Sequence, residues 1–253
     1  MATTPVSTSV GTPEPEAKIS PIGRVVGMFF SPRATFEDIV RRPSWILPTV
    51  LIVALSTAGV VALNSHFDWR SYTAQQIEKS PQSANMSGED KERRIEGGAK
   101  FAPIIAYVFG IPAPIVMLLA VALVLWGAYN LMAGAGATFA QSFAIVTHAF
   151  VPASVLGTII FITVLFLKPV GSFDLDNPVA TNVAIFLPED ASKWLMALCK
   201  NVDLFEIWKL LLIAIGFAAV NPRKLKGGKP YAIAFGTFLV YVVIRVGIAF
   251  VTS

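Results

Sequence analysis

The pattern of apolar and polar positions is dominated by one stretch. From 101 to 167 the chain carries no Asp, Glu, Lys or Arg. A hydrocarbon core of roughly 30 Å is crossed by about 20 apolar residues in a helix, so this run is about three times the length of one crossing. It has to fold back within the membrane. The reversal is expected at 133–137, the sequence AGAGA, where glycine admits the backbone angles of a tight turn. Thr138 and Gln141 then read as a capping box that opens the following helix.

The pattern predicts five spans in all, at about 45–63, 103–132, 139–167, 204–220 and 231–251. Proline positions 112, 114 and 152 fall inside the second and third and are expected to kink them. Ahead of the first span, Ile22, Val25, Val26, Phe29 and Phe30 fall on a helical apolar face with Arg24 off it. Ser31 and Pro32 restart the pattern as N-cap and first helical residue; Phe36, Ile39 and Val40 continue an apolar stripe, with Arg33, Glu37 and Asp38 wet. Both helices are too short and charged to span, which leaves two positions for them: in the interface plane, or packed under the bundle. Polar loops occupy 64–100 and 168–202. The first holds a short amphipathic helix around Trp69, Tyr72 and Ile77 and a charged helix capped by Ser87; the second ends in a helix placing Trp194, Leu195 and Leu198 together. The fold class is therefore all-α: a polytopic, five-helix membrane bundle, 19–253, with amphipathic interfacial helices, behind a disordered tail at 1–18.

Composition agrees, with a mean hydropathy of +0.65 and only 14% charged residues. The net charge of +4 reports how loops are charged, and no nucleic-acid partner is expected. Basic residues next to the spans set orientation. Arg24, Arg33, Arg41, Arg42 and the basic turn Arg223, Lys224, Lys226 and Lys229 fall on one side in short segments, which places the N-terminus in the cytoplasm and the C-terminus opposite.

Three segments carry a family resemblance: FFSPRATFEDIVRRPSWILP at 29–48, GAGATFAQSFAIVTHAFVP at 134–152 and DLFEIWKLLLIAIGFAAV at 203–220. In this order and spacing the chain resembles the Yip family, five-span membrane proteins named for interacting with Ypt/Rab GTPases, over about 230 residues. The long loops are similar to those of bacterial members. The resemblance implies a five-helix bundle with a cytosolic N-terminus in the bacterial inner membrane. It also implies no catalysis, and a role in membrane organisation, scaffolding or trafficking-like partner binding.

Sequence motifs for chemistry are missing: there is no HExxH, GxSxG, CxxC or Walker A, and neither a metal nor a cofactor is expected. Polar groups inside the spans have to find partners, and they form the candidate intramembrane polar site: Asn130, Gln141, His148 and Arg245. His148 is either a proton or ligand contact or a neutral, hydrogen-bonded core histidine; Arg245 either snorkels or pairs. Ala149, Ala153 and Gly157 repeat every four residues and are expected to pack helix against helix, within the chain or in a homodimer. Two functions follow: a non-enzymatic membrane organiser whose partners are the lipid bilayer and other membrane proteins, or a small transporter or channel component using the polar span residues.

Overall fold

The computed structural model describes residues 19–251 apart from Asp176 and Glu189, and the tail expected at 1–18 lies outside them. Ten α-helices follow in order: α1 (Pro21–Phe30), α2 (Pro32–Arg41), α3 (Ile46–His66), α4 (Trp69–Lys79), α5 (Gly88–Gly110), α6 (Ala113–Ala133), α7 (Phe139–Leu167), α8 (Lys193–Asn201), α9 (Leu204–Val220) and α10 (Lys229–Val251). Strands are absent among the described residues; the one bridge pairs Asn182 with Asp203.

At the centre stands α7. Every residue from 142 to 153 is buried, as expected of a helix that is apolar on all sides and surrounded by others. It packs against α3, α6 and α9, and α10 closes the bundle against α6 and α9. A continuous core runs through Phe36, Leu118, Tyr129, Ile145, Leu212 and Phe217. Tyr129 and Phe217 stack with centroids 3.8 Å apart and planes 1° from parallel, which fastens α6 to α9.

Four helices, α3, α6, α7 and α10, are long and apolar enough to cross a membrane. The remaining expected span, α9, has 17 residues and begins with Glu206 and Lys209 in its first turns. At 1.5 Å per residue it is about 25 Å long.

The second expected span, 103–132, differs from the structure. It is two helices, and the charged helix capped by Ser87 runs without a break through Pro103 to Gly110 as α5. The chain turns at Ile111 and Pro112 before α6 begins. Proline lacks the amide hydrogen needed inside a helix but is well accommodated at its start, which is where Pro112 and Pro114 act. Ser31 is also not a side-chain cap: its hydroxyl makes no capping bond, and its carbonyl accepts from Thr35 instead.

The bundle has two unlike ends. One, called here the near side, gathers α1, α2, the turn between α6 and α7, and the turn between α9 and α10. The far side carries α4, the charged half of α5, the 168–192 loop and α8.

Candidate functional site

The near side is assembled from short helices and turns that bond to each other over long sequence distances. α1 begins where the Ser20 hydroxyl accepts from the Gly23 amide, with Pro21 in the first turn. It has two faces. Ile22, Val26 and Phe30, one turn apart, are exposed, the last at 81%. Arg24 and Met28 point inward and are 2% and 1% exposed. The sequence placed Arg24 off the packed face and Asp38 in water, and the structure reverses both. Arg24 meets Asp38 at 2.8 Å, and its guanidinium also donates to the Arg42 carbonyl and the Ser44 hydroxyl. A buried pair of charges is tolerable only when its remaining hydrogen-bonding capacity is met, and these extra acceptors meet it. The result is a hairpin of α1 and α2 closed around one ion pair.

That hairpin is packed under the bundle, the second of the two expected positions. Phe36 and Ile39 of α2 are fully buried against α7 and α9. Gly216 on α9 permits this: a Cβ there would stand 2.5 Å from Ile145 Cγ2 and 3.1 Å from the Phe36 ring. The Gln141 side chain of α7 donates to the Val40 carbonyl at the end of α2, 2.9 Å away. α1 nevertheless keeps its outer apolar face uncovered.

The central turn falls where the glycines place it. Gly134 caps α6 with φ of 57°, a left-handed conformation that glycine adopts without steric cost. Asn130 then holds the return strand of the turn at two points: its amide donates to the Ala137 carbonyl at 3.0 Å and its oxygen accepts from the Ala137 amide at 2.9 Å. Trp126 donates to the same carbonyl. Thr138 and Gln141 form the capping box that starts α7. The Ser142 hydroxyl donates to the Ala122 carbonyl and draws α7 onto α6.

The basic turn lies against this one. Lys224 donates to the Gly134 carbonyl at 2.8 Å and Asn221 to the Ala135 carbonyl at 3.2 Å. The Tyr129 hydroxyl donates to the Pro230 carbonyl at 2.5 Å. Arg223, Lys224, Lys226 and Lys229 are all exposed. With Arg24, Arg33, Arg41 and Arg42 they bring eight bases to the near side of the described chain, against the acids Glu37 and Asp38. Beside the turn opens a groove of about 440 Å³, bounded by α2, the end of α9 and the start of α10.

The four polar span residues do not converge. Asn130 and Gln141 frame the same turn, Asn130 bonded to Ala137 within it and Gln141 to Thr138 and to the Val40 carbonyl of α2. His148 lies two turns further along α7, 1% exposed, with Nδ1 2.8 Å from the Ala144 carbonyl of its own helix. Arg245 is on the outer face of α10 and donates to Tyr241 one turn earlier. None of the four lines the groove. Among the packing residues, Ala149 and Ala153 are buried on the line of α7 that carries Ser142, whereas a Cβ on Gly157 would meet nothing within 4 Å.

Sequence reasoning missed Arg24, Asp38, Tyr129 and Gly216. Arg24 did leave a signal: Arg24 and Met28 are one turn apart, as are Ile22, Val26 and Phe30, so α1 had two candidate faces. Gly216 left none, because its role depends on which side chains arrive opposite it. Among the described residues no three His, Cys, Asp or Glu side chains are grouped as a metal site would need.

The family model described as the Yip1 domain matches residues 26–246, which takes in nine of the ten helices whole or nearly so. No curated protein and no solved structure matches the chain.

Proposed function

Because the chain belongs to the Yip1 domain family, matched over most of its length, we propose that it is a non-enzymatic, five-pass membrane protein that organises the leaflet at its near side and gathers membrane-protein partners there. The observation that carries this reading is α1. One face is held by the buried Arg24–Asp38 pair, and the other offers Ile22, Val26 and Phe30 outward. An amphipathic helix of this kind lies in the headgroup region with its apolar face about 5–10 Å deep, and it expands one leaflet relative to the other.

The fifth pass in this reading is α9. Seventeen residues is the short end of what spans a bilayer, and Lys209, 15% exposed, pairs with Glu206 and lies over the Phe150 ring of α7. The basic near side faces the cytoplasm by the positive-inside rule, and the membrane is taken as a bacterial inner membrane from the long-loop resemblance. The transporter alternative requires the polar span residues to share a path, and their separation disfavours it.

Vesicle reconstitution tests the role. The wild-type chain is expected to narrow or tubulate vesicles, and Val26→Glu with Phe30→Glu to abolish this with thermal stability retained, since both side chains are exposed. Equal deformation by the variant overturns the leaflet role. Topology is tested with single cysteines in a Cys199→Ser background. Lys226→Cys should be shielded from an impermeant reagent in intact cells and Ser253→Cys labelled; both on one side would exclude five passes.

A further inference from the structure

The near-side groove has the form of a lipid site. Its floor is apolar and shallow where α9 contributes small side chains, Ala218 and Ala219, below Ile215. That floor does not end at the groove. Leu204, Ile207 and Leu211, further back on α9, are 64%, 40% and 39% exposed, and with Ile215 and Ala218 they follow one line of the helix. Three or four residues between members keeps them on one side, so an open apolar track runs from the groove along the outer surface of the bundle. The rim is of the opposite character. Arg33 from α2 and Lys226 from the basic turn reach the same opening.

The acid at the rim is Glu37, which meets Arg33 at 3.2 Å. Their side chains are 51% and 87% exposed, so the pair is solvated and weak, and the arginine can turn to another anion at little cost. Arg223, Lys224 and Lys229 add positive potential from the same turn.

We propose that this groove binds one anionic glycerophospholipid of the bilayer, its phosphate between Arg33 and Lys226 and an acyl chain along Ala218, Ile215 and Leu211. The charge favours an anion, and the continuous apolar track favours one that carries hydrocarbon. A soluble phosphate would use the rim and leave the track bare. A peptide segment would need backbone hydrogen-bonding partners that the alanine floor does not offer. The site is separate from the outer face of α1, so it can fail or hold independently of the leaflet role.

The test uses the full chain purified in mild detergent. Bound lipid is counted by native mass spectrometry, and melting is followed as phosphatidylglycerol, phosphatidylcholine or glycerol 3-phosphate is added. Phosphatidylglycerol is expected to bind at one site and raise the melting temperature, with little effect from the other two. Arg33→Gln with Lys226→Gln should weaken it about thirtyfold, on the scale of attraction of two bases to an anionic lipid surface. Melting without lipid should be unchanged, because both side chains lie on the surface. Arg93→Gln with Lys100→Gln, on the far side, is the charge-matched control and should bind as wild type. Ala218→Leu fills the track and should reduce phosphatidylglycerol binding while leaving the rim charges intact. The proposal is overturned if phosphatidylcholine stabilises equally, if glycerol 3-phosphate competes as well as the lipid, or if the far-side control loses as much affinity as the rim variant.

Discussion

The two ends of this bundle are held together by different kinds of interaction. On the near side the bonds join residues far apart in sequence, and two of them are buried. Arg24 reaches Asp38, Gln141 reaches Val40, Tyr129 reaches Pro230 and Lys224 reaches Gly134. On the far side most are local. Asp68 accepts from Arg70 and Ser71, Ser87 from Asp90, and Arg93 pairs with Glu89 one turn away. The buried cluster there contains three residues, Leu63, Leu165 and Phe173, against 25 in the main core, so far less apolar surface secures it. The Arg70–Glu92 bridge joins α4 to α5 but both side chains are about half exposed or more, where such pairs contribute about 0–1 kcal/mol. The near side is thus a fixed platform, and the far side a set of locally folded pieces attached to it.

The largest effect should come from breaking the ion pair that closes the platform. Asp38→Ala leaves the Arg24 guanidinium buried with its main acceptor gone, and is expected to destabilise by about 3–5 kcal/mol. Thermal unfolding in detergent checks this. Replacing both partners, Arg24→Met with Asp38→Leu, should recover much of the loss, since no unpaired charge then remains. If Asp38→Ala unfolds like wild type, the platform does not depend on the pair. Next in size is Gly216→Leu, which drives a side chain into Ile145 and Phe36; overpacking of this kind costs typically about 1–3 kcal/mol. Gly157→Ala on α7 meets open space and should be near neutral. Equal losses at the two glycines would contradict the packing described here.

Asn130→Ala should follow, at about 1–2 kcal/mol. It removes two bonds from a half-buried turn and leaves the Ala137 amide unpaired. Asn130→Asp keeps the acceptor but not the donor, and should fall between alanine and wild type. Unfolding midpoints of the three proteins order them.

What was legible in the sequence was local. Hydrophobic runs located α3, α6, α7 and α10 because a membrane-spanning helix has to be apolar along its length. Capping signals at Thr138 and Ser87 marked helix starts, because each involves residues only three apart. The 101–167 run gave the hairpin, and glycine gave its turn. The rest depends on what faces what. Arg24 looked solvent-facing because burial of a charge depends on a partner 14 residues away arriving beside it. Asn130 and Gln141 read as intramembrane polar groups, but their spacing from His148 does not show that they are spent on backbone groups beside the turn and at the end of α2. The join of a charged helix to an apolar one in α5 was hidden by Pro103, because a proline usually marks a helix boundary and here lies inside the helix.

The smallest expected effect lies on the far side and is a pH dependence. Asp68 caps α4: its carboxylate accepts from the Ser71 hydroxyl and from the Ser71 and Arg70 amides, and these bonds hold its carboxyl below the usual carboxylate range. Because the folded pKa is depressed, the stabilisation is complete above the unfolded value of about 4 and is lost as pH falls through the lower folded value. The group is only half-buried, so solvent screens it and the effect should stay local. Trp69, the first residue of α4, packs on Phe67 and Tyr72 and reports it. Its environment should change as the pH falls below about 4 while the near side remains folded. Asp68→Asn retains a good cap without the titrating group, so the variant should show no such step. A step of equal size in the variant would assign the acid sensitivity elsewhere, and a near side that melts in the same range would mean that the two ends unfold together.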